Sequence, residues 1–304
     1  MRLALLFSGQ GGQRPEHWQQ VAAGADGALR QALLRHLPDL AKPDFCPSPE
    51  MLARNTVAQP LIFGQQMLLW SALQPRLPKP VCVAGYSLGE MAACSAAGVF
   101  AAAQGVDLAA ERARLMDCAA GGPGGMLAVL GLDERLVEKL AAAHGLSLAI
   151  HNAPRHVVLA GPQEKLPPAA EALAAAGASR LVQLAVRTPS HTPLLSEAAA
   201  GFRLCLAKLP EHRLSIPVLS AIDASSARSS SMALDALARQ ICSPLNWLAC
   251  LEVVREMQPD AVLEIGPGDA LCKLFAEMAP DIPVRPTDAF KGVDGIFAWL
   301  ARFR

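Results

Sequence analysis

The chain has 304 residues, of which 52% are apolar and 18% are charged. That balance excludes an intrinsically disordered chain and allows a large core, with room for two domains. Lysine plus arginine number 27, as do aspartate plus glutamate, so the net charge is zero. A neutral chain has no overall field to hold nucleic acid or an anionic membrane, and we expect neither as a partner.

Cysteine usage and the first residues bear on the cellular compartment. The eight cysteines have no CxxC spacing and several lie in apolar runs, which predicts buried, reduced thiols. The opening MRLALLF runs directly into SGQGGQ and is too short for the apolar part of a signal peptide. No apolar stretch has the length of a membrane span. Together these features predict a cytoplasmic protein.

The first part of the chain alternates between strand and helix patterns. Residues 3–7 (LALLF) predict a buried strand that ends in the turn SGQGGQ, and residues 81–85 (VCVAG) predict a second one. Helical composition covers residues 60–74, 88–97 and 105–119. Gly98 is a suitable stop for the second of these helices. The repeated order predicts an α/β large domain, a parallel sheet flanked by helices with a hydrolase-like core.

The pattern changes at the glycine-rich segment 121–125. Strands are predicted over 126–132, 146–152, 156–161 and 179–186, and helices over 133–145 and 167–177. Their β-α-β-β-α-β order is that of a ferredoxin-like unit. Farther on, the chain predicts a helix from Pro193, strands near Val218 and Val262, and helices around Leu234 and Leu271. We therefore predict an inserted small domain over 122–187, within a large domain formed by 1–121 and 188–304.

The segment VAGYSLGE (83–90) places Ser87 between two glycines, after a strand and before a helix. This is the context of a nucleophile elbow, whose sharp turn leaves no room for side chains at Gly85 and Gly89. The helix start would aim the N–H of Leu88 at an oxyanion formed on an attacked carbonyl. Alternatively, Ser87 only caps the helix, because GxSxG is common by chance. The flanking strand and helix favour the nucleophile.

A serine nucleophile needs a base, and the chain has seven histidines. The last is His212, whereas an ordinary α/β-hydrolase has its catalytic histidine late in the chain. His191, in RTPSHTPLL, directly precedes Thr192 and Pro193, which are typical of the N-cap and first residue of a helix. The positive end of that helix would favour neutral imidazole, the form that a general base needs. The alternative is a loop histidine with no chemical role.

Four short motifs, GQGGQ (9–13), GYSLGE (85–90), PSH (189–191) and EIGPG (264–268), follow one another along the chain. In order and spacing they resemble the malonyl-CoA:acyl carrier protein transacylases, and the resemblance covers nearly the whole chain. It implies an S-malonyltransferase with a ping-pong mechanism: Ser87 takes malonyl from coenzyme A and passes it to the thiol of a carrier protein. His191 would be the base, oriented by a backbone carbonyl. No metal or permanently bound cofactor is implied, only the coenzyme A thioester as substrate.

The same resemblance implies roles for further residues. Gln10 would supply an oxyanion N–H beside that of Leu88. Arg112, in RARLM, would bind the malonyl carboxylate, a task suited to a bidentate guanidinium. Arg114 competes for this role but points to a different face of the helix. Without the family context, a plain glycine-rich turn and a solvated arginine are the simpler interpretations. Two supporting residues complete the set, Gln240 near His191 and Asn152 at the edge of the cleft.

One position departs from the usual GHSLGE of fatty acid synthesis, because this chain has Tyr86, its only tyrosine. GYS and the stretch 58–73 resemble the epsilon subunit of malonate decarboxylase, whose recipient is a carrier subunit bearing a phosphoribosyl-dephospho-coenzyme A group. We favour that recipient over a carrier of fatty acid or polyketide synthesis. A thioesterase or esterase, and a docking scaffold without chemistry, are weaker alternatives. The carrier would dock on basic side chains such as Arg155, Arg187 and Arg203.

Overall fold

A computed structural model describes residues 1–303, which form two sheets and the helices that cover them. The strands are β1 (Leu3–Phe7), β2 (Cys82–Gly85), β3 (Gly124–Leu130), β4 (Ser147–Ala153), β5 (His156–Pro162), β6 (Arg180–Gln183), β7 (Arg213–Leu219), β8 (Ser226–Ser229), β9 (Leu245–Asn246), β10 (Ala261–Ile265) and β11 (Val284–Pro286). The α-helices are α1 (Pro15–Gly24), α2 (Gly27–His36), α3 (Pro49–Ala53), α4 (Asn55–Leu73), α5 (Gly89–Ala96), α6 (Ala102–Ala119), α7 (Glu134–Ala143), α8 (Leu166–Ala175), α9 (Ser196–Leu206), α10 (Ser230–Arg239), α11 (Trp247–Glu256), α12 (Ala270–Met278) and α13 (Val293–Leu300).

The large sheet has the strand order β11-β10-β1-β2-β7-β8. Its first five strands are parallel, and β8 pairs antiparallel with β7 at the edge. The predicted parallel sheet is therefore confirmed for five strands, while the antiparallel edge strand is an addition. All residues of β1 are buried, as expected for a central strand covered by helices on both faces. The carboxyl ends of β1, β2 and β10 meet at one edge, which brings together the loops that follow them.

The small sheet has the strand order β6-β3-β5-β4-β9. The pairs β3–β6, β3–β5 and β4–β5 are antiparallel, so the first four strands have the order of a ferredoxin-like unit, with α7 and α8 packed on them. The predicted ferredoxin-like fold is confirmed. The fifth strand, β9, lies outside the predicted range 122–187 and pairs parallel with β4. The domain boundaries themselves stay a prediction.

Several predicted helix ends are confirmed by their capping geometry. Asp133 accepts hydrogen bonds from the first turn of α7, and Gly98 follows α5 in the left-handed region, with φ +89°. The start of α4 differs from the sequence prediction, because this helix begins at Asn55 and contains Pro60. Pro60 is the sixth residue of α4 and has no N–H to donate to the carbonyl four residues earlier, so the helix lacks one backbone hydrogen bond there.

No helix in residues 1–303 combines the length and the apolar character needed to cross a bilayer. All eight cysteines are free thiols, as predicted, but Cys46 and Cys118 are exposed, so the predicted burial is wrong for these two. Four of them are buried, and burial raises the pKa of Cys82 to about 12. These buried thiols are therefore protonated and unreactive at neutral pH.

Candidate active site

Ser87 stands on the sharp corner between β2 and α5, with a left-handed φ of +54°. A serine costs about 1–2 kcal/mol in that conformation, so the surrounding structure has to impose it. A Cβ at Gly85 would overlap the backbone of Gly89 and Glu90, and one at Gly89 would overlap the carbonyl of Phe7. Glycine is therefore required at both positions, as the elbow pattern predicts.

The imidazole of His191 lies directly against the Ser87 hydroxyl. Its Nε2 atom is 2.9 Å from Ser87 Oγ, and its Nδ1 atom is 2.5 Å from the backbone oxygen of Gln240. A carbonyl can only accept, so Nδ1 carries the proton and donates it, which leaves Nε2 to accept from the serine. The orienting group is a backbone carbonyl rather than a carboxylate, in agreement with what the family resemblance implies.

His191 is neutral for a different reason from the one that its sequence suggests. Burial lowers its pKa to about 3, aided by the positive charge of Arg112 and opposed by the Gln240 carbonyl. Thr192 does occupy the predicted N-cap position, with Pro193 directly after it, but its hydroxyl donates to the backbone oxygen of Pro189 at 2.7 Å instead of accepting from the turn that follows. A 3₁₀ turn over Pro193–Leu195 then precedes α9. Burial, with the side chain only 1% exposed, keeps the imidazole neutral.

The start of α5 offers a donor beside the serine. The helix is capped by Leu88 without any side-chain hydrogen bond, so the alternative in which Ser87 caps it is wrong. A helix leaves its first N–H groups without intrahelical partners, and the N–H of Leu88 is among them. Gln10 lines the same cavity as Ser87 and Leu88, while its side chain donates to the backbone oxygen of Ala53 at 3.2 Å. Both predicted oxyanion residues thus adjoin the serine.

The glycine-rich loop is held to the sheet edge by a buried amide from α4. Gln66 Nε2 donates to the backbone oxygen of Ser8 at 2.7 Å and to that of Ile265 at 3.2 Å. Ser8 directly follows β1 and Ile265 is the last residue of β10, so one side chain connects the start of the GQGGQ loop to EIGPG. Glu264 of EIGPG accepts in turn from the N–H groups of Leu271 and Cys272 at the start of α12.

Arg112 is a charged side chain that is only 1% exposed and faces the serine cavity. Its Nη1 atom donates to Gln59 Oε1 at 2.9 Å, whereas Nε and Nη2 have no partner in residues 1–303. Burial lowers its pKa to about 10, so it remains charged at neutral pH. Unpaired buried N–H groups of a cation are costly, and an anion in the cavity would pair with them. Arg114 instead is exposed and forms an ion pair with Glu111.

The cavity lies between the two sheets and is small. It offers about 50 Å³ to water-sized groups, which is room for a few water molecules or a short acyl group. Four apolar residues of the small domain line one side, Met126, Ile150, Leu184 and Val186. Ser87, His191 and Arg112 line the other side. Within residues 1–303 no cluster of His, Cys, Asp or Glu side chains has the arrangement of a metal site.

Gln240, predicted to support the site, lies against His191 and also belongs to a buried polar network whose other members were not predicted from the sequence. Gln240 is fully buried, and its Nε2 atom donates to the backbone oxygen of Ser87 at 3.2 Å and to Glu90 Oε2 at 3.1 Å. Glu90 also accepts from the N–H of Ala221 at 3.1 Å, and burial raises its pKa to about 8. The available signal was a glutamate inside an alanine-rich, otherwise apolar helix, a position where an unpaired charge would be costly.

The remaining predicted residues lie farther from the reacting pair. Asn152 is buried and accepts a hydrogen bond from the Tyr86 hydroxyl, at 3.0 Å, rather than lining the cavity. Of the proposed docking arginines, Arg155 donates to the backbone oxygen of Gly131, and Arg203 pairs with Asp235 at 3.2 Å. Arg187 differs from both.

Arg187 is exposed and lines a groove of about 730 Å³ outside the cavity. Leu184 and Val186 line both the groove and the cavity, so the two spaces adjoin. Of the three arginines, Arg187 alone has no ion pair or hydrogen bond to its side chain within residues 1–303. Arg187 therefore lies beside a groove that adjoins the serine cavity, and its role in carrier docking stays a prediction.

A nucleophilic serine at the end of a parallel strand, hydrogen-bonded to a neutral histidine, is the arrangement of serine enzymes that transfer acyl groups. The family model described as acyl transferase domain matches residues 19–278. The chain belongs to this acyl transferase family, and it is an acyltransferase.

Curated relatives align over most of the chain. One is the malonyl CoA-acyl carrier protein transacylase of Salmonella typhimurium, 31% identical over 282 residues, which covers 90% of this chain and 91% of the relative. The protein of the same name from Mycobacterium tuberculosis is 33% identical over 290 residues, covering 93% and 95%.

Solved structures agree with this alignment. A malonyl-transacylase in complex with its type II PKS acyl-carrier protein superposes with a TM-score of 0.87 at 26% identity, covering 99% of this chain and 100% of that chain. The acyl-carrier-protein S-malonyltransferase of Burkholderia pseudomallei superposes with a TM-score of 0.82 at 30% identity, covering 94% and 96%.

Proposed function

We propose that this chain is a malonyl-CoA:acyl carrier protein transacylase, which moves malonyl from coenzyme A to the prosthetic-group thiol of a carrier protein. The observation that carries the proposal is the buried Arg112, which faces the cavity of Ser87 and whose Nε and Nη2 groups have no partner among residues 1–303. A thioester with a free carboxylate satisfies both the arginine and the serine. The names of the relatives support the same substrate.

In the first half-reaction, His191 Nε2 removes the proton of Ser87 as Oγ attacks the thioester carbonyl. The N–H groups of Leu88 and Gln10 would stabilise the oxyanion, and one such donor contributes about 3–4 kcal/mol to lowering the barrier. When the tetrahedral intermediate collapses, the C–S bond breaks and the imidazolium returns its proton to the leaving thiolate of coenzyme A. Malonyl remains as an ester on Ser87, while the Gln240 carbonyl holds the ring in place.

In the second half-reaction, the thiol of the carrier replaces coenzyme A. Its proton passes to His191 Nε2 as the sulfur attacks the Ser87 ester, and the released serine alkoxide regains that proton. The groove beside Arg187 lies next to the cavity and has the volume to admit the extended arm of a prosthetic group. The cycle requires no resident cofactor, because the thioester substrate brings the acyl group.

For the recipient we propose the carrier subunit of malonate decarboxylase, on the sequence resemblance carried by GYS and residues 58–73. The alternative is the acyl carrier protein of fatty acid or polyketide synthesis, which the names of the relatives favour. Purified protein with malonyl on Ser87, supplied with each carrier in the form whose prosthetic-group thiol is free, would separate the two. Faster discharge of malonyl-Ser87 to the acyl carrier protein would overturn the decarboxylase assignment and leave the transfer chemistry intact.

Mass spectrometry after brief incubation with malonyl-CoA tests the central step. We expect a malonyl adduct on Ser87 that persists until a thiol acceptor is added, and no adduct in Ser87→Ala. An adduct that decays to free malonate without an acceptor would identify a thioesterase instead. Unchanged turnover in Ser87→Ala would refute the serine mechanism altogether.

A further inference from the structure

Tyr86, next to the nucleophile, connects the two sheets. Its backbone N–H donates to the carbonyl of Phe7 at 2.9 Å, at the end of the central strand β1. Its hydroxyl donates to Asn152 Oδ1 at 3.0 Å, on β4 of the small sheet. The residue is thus bound to the large sheet through its backbone and to the small sheet through its side chain.

The aromatic ring of Tyr86 packs against a second connection between the sheets. Its edge meets the ring of Trp247 at a centroid distance of 5.3 Å and an interplanar angle of 83°. Trp247 begins α11 directly after β9, and β9 pairs with β4 at Ile150 and His151. The tyrosine therefore contacts β4 through Asn152 and packs beside the strand that extends the small sheet.

The position of β4 matters for the cavity because Ile150, two residues before Asn152, lines it opposite Ser87. With only about 50 Å³ available, a small displacement of this strand changes which acyl groups fit. Burial raises the pKa of the Tyr86 hydroxyl far above its usual value, so the hydroxyl remains a hydrogen-bond donor at working pH.

We propose that Tyr86 is a positioning residue that, through its hydrogen bond to Asn152, holds β4 over the acyl cavity and so restricts the enzyme to unsubstituted malonyl thioesters. This inference rests on the proposed transacylase function. Loss of the hydrogen bond should let β4 move outward and admit a malonyl group that carries a methyl substituent at C2. The loss of one neutral hydrogen bond should change the selectivity between the two thioesters about two- to tenfold.

The test compares acylation of Ser87 by malonyl-CoA and by methylmalonyl-CoA. Tyr86→Phe keeps the ring and its packing on Trp247 but removes the donor. We expect the ratio of kcat/KM for methylmalonyl over malonyl to rise about two- to tenfold. Asn152→Ala should raise this ratio by the same factor. The double variant should raise it little further, because both substitutions remove the same hydrogen bond.

A second measurement reports the hydrogen bond itself. Tyr86 is the only tyrosine, so incorporation of 3-fluorotyrosine gives a single fluorine NMR signal. We expect Asn152→Ala to shift that signal in the folded enzyme. An unchanged selectivity ratio in a folded Tyr86→Phe variant would overturn the positioning role, even if its stability fell. If the wild-type enzyme forms no malonyl ester at all, the proposed function itself fails.

Discussion

His191 and Ser87 are 104 positions apart in the chain, yet His191 Nε2 lies 2.9 Å from Ser87 Oγ. Both residues have left-handed backbone conformations, with φ of +63° and +54°. Two strained residues facing each other cost about 2–4 kcal/mol together, so the contact does not form from local preference. It is imposed by the elbow on one side and, on the other, by the bonds from His191 to the backbone oxygens of Gln240 and Ile241.

The low pKa of His191 predicts activity that persists in mild acid. Because burial lowers this pKa to about 3, the imidazole is neutral at pH 5 as well as at pH 7. The value of kcat/KM for malonyl-CoA, which reports on the free enzyme, should therefore stay within about twofold between pH 7 and pH 5. A solvated histidine would lose more than tenfold over that interval. Stopped-flow acylation across this range is the measurement, and a midpoint near pH 6.5 would contradict the buried base.

Arg112 should determine the preference for a carboxylate-bearing acyl group. Arg112→Ala removes charge-assisted hydrogen bonds worth about 1.5–3 kcal/mol, so kcat/KM for malonyl-CoA should fall about 10- to 100-fold. Acetyl-CoA, which has no carboxylate, should be affected much less. Arg114→Ala is the matched control on the same helix and should stay within about twofold, since that side chain is exposed and paired with Glu111. Equal losses for both substrates would place the carboxylate site elsewhere.

The sequence predicts those features that depend on residues close together in the chain. The elbow at Ser87 follows from glycines flanking a serine between a strand and a helix, and the ferredoxin-like unit follows from the order of its elements. Motif resemblance identified His191 and Arg112, and the structure brings both to the serine. The sequence attributes the neutral state of His191 to the helix end at Thr192, whereas burial is the main cause, and the burial of a side chain cannot be read from a nine-residue segment.

Features that depend on contacts between residues far apart in the chain were not predicted. Strand β9 has only two residues and is recognised as a strand only because it pairs with β4. The buried network of Glu90 and Gln240 joins residues 150 positions apart. His17 lies in a polar stretch yet is buried, with Nε2 at 3.0 Å from Asp288, 271 positions away. Polar side chains of this kind can be buried because a residue far away in the chain forms a hydrogen bond with them. The local sequence does not identify that residue.

Glu90 and His191 predict opposite effects of pH on stability. Between about pH 4.5 and 8 the folded state holds the Glu90 proton and the unfolded chain does not, so the free energy of unfolding falls as pH rises. Between about pH 3 and 6.5 the unfolded chain protonates His191 and the folded state does not, so that contribution rises with pH. The two contributions to the free energy of unfolding nearly cancel from pH 4.5 to 6.5. From pH 6.5 to 8 only the Glu90 contribution changes, and it falls.

Glu90→Gln isolates this effect, because it keeps the side-chain size and one acceptor oxygen but cannot ionise. The wild-type free energy of unfolding, minus that of the variant, should fall between pH 6.5 and 8 with a slope of up to about 1.4 kcal/mol per pH unit. Urea unfolding at half-unit pH steps measures it. A difference that is flat over this interval would show that the Glu90 carboxyl is ionised in the folded protein.

Arg187 should act on the carrier half-reaction. The prosthetic group of a carrier contains phosphate, and an exposed arginine beside the entrance groove would attract it and speed encounter. Arg187→Glu should slow discharge of malonyl-Ser87 to a carrier about three- to tenfold, with the deficit shrinking as salt is added. Pantetheine, a neutral thiol without phosphate, should accept malonyl at the wild-type rate. Arg155→Glu and Arg203→Glu are the matched controls, because both side chains are bound within the chain. Equal slowing with pantetheine would mean that Arg187 shapes the groove rather than attracting the carrier.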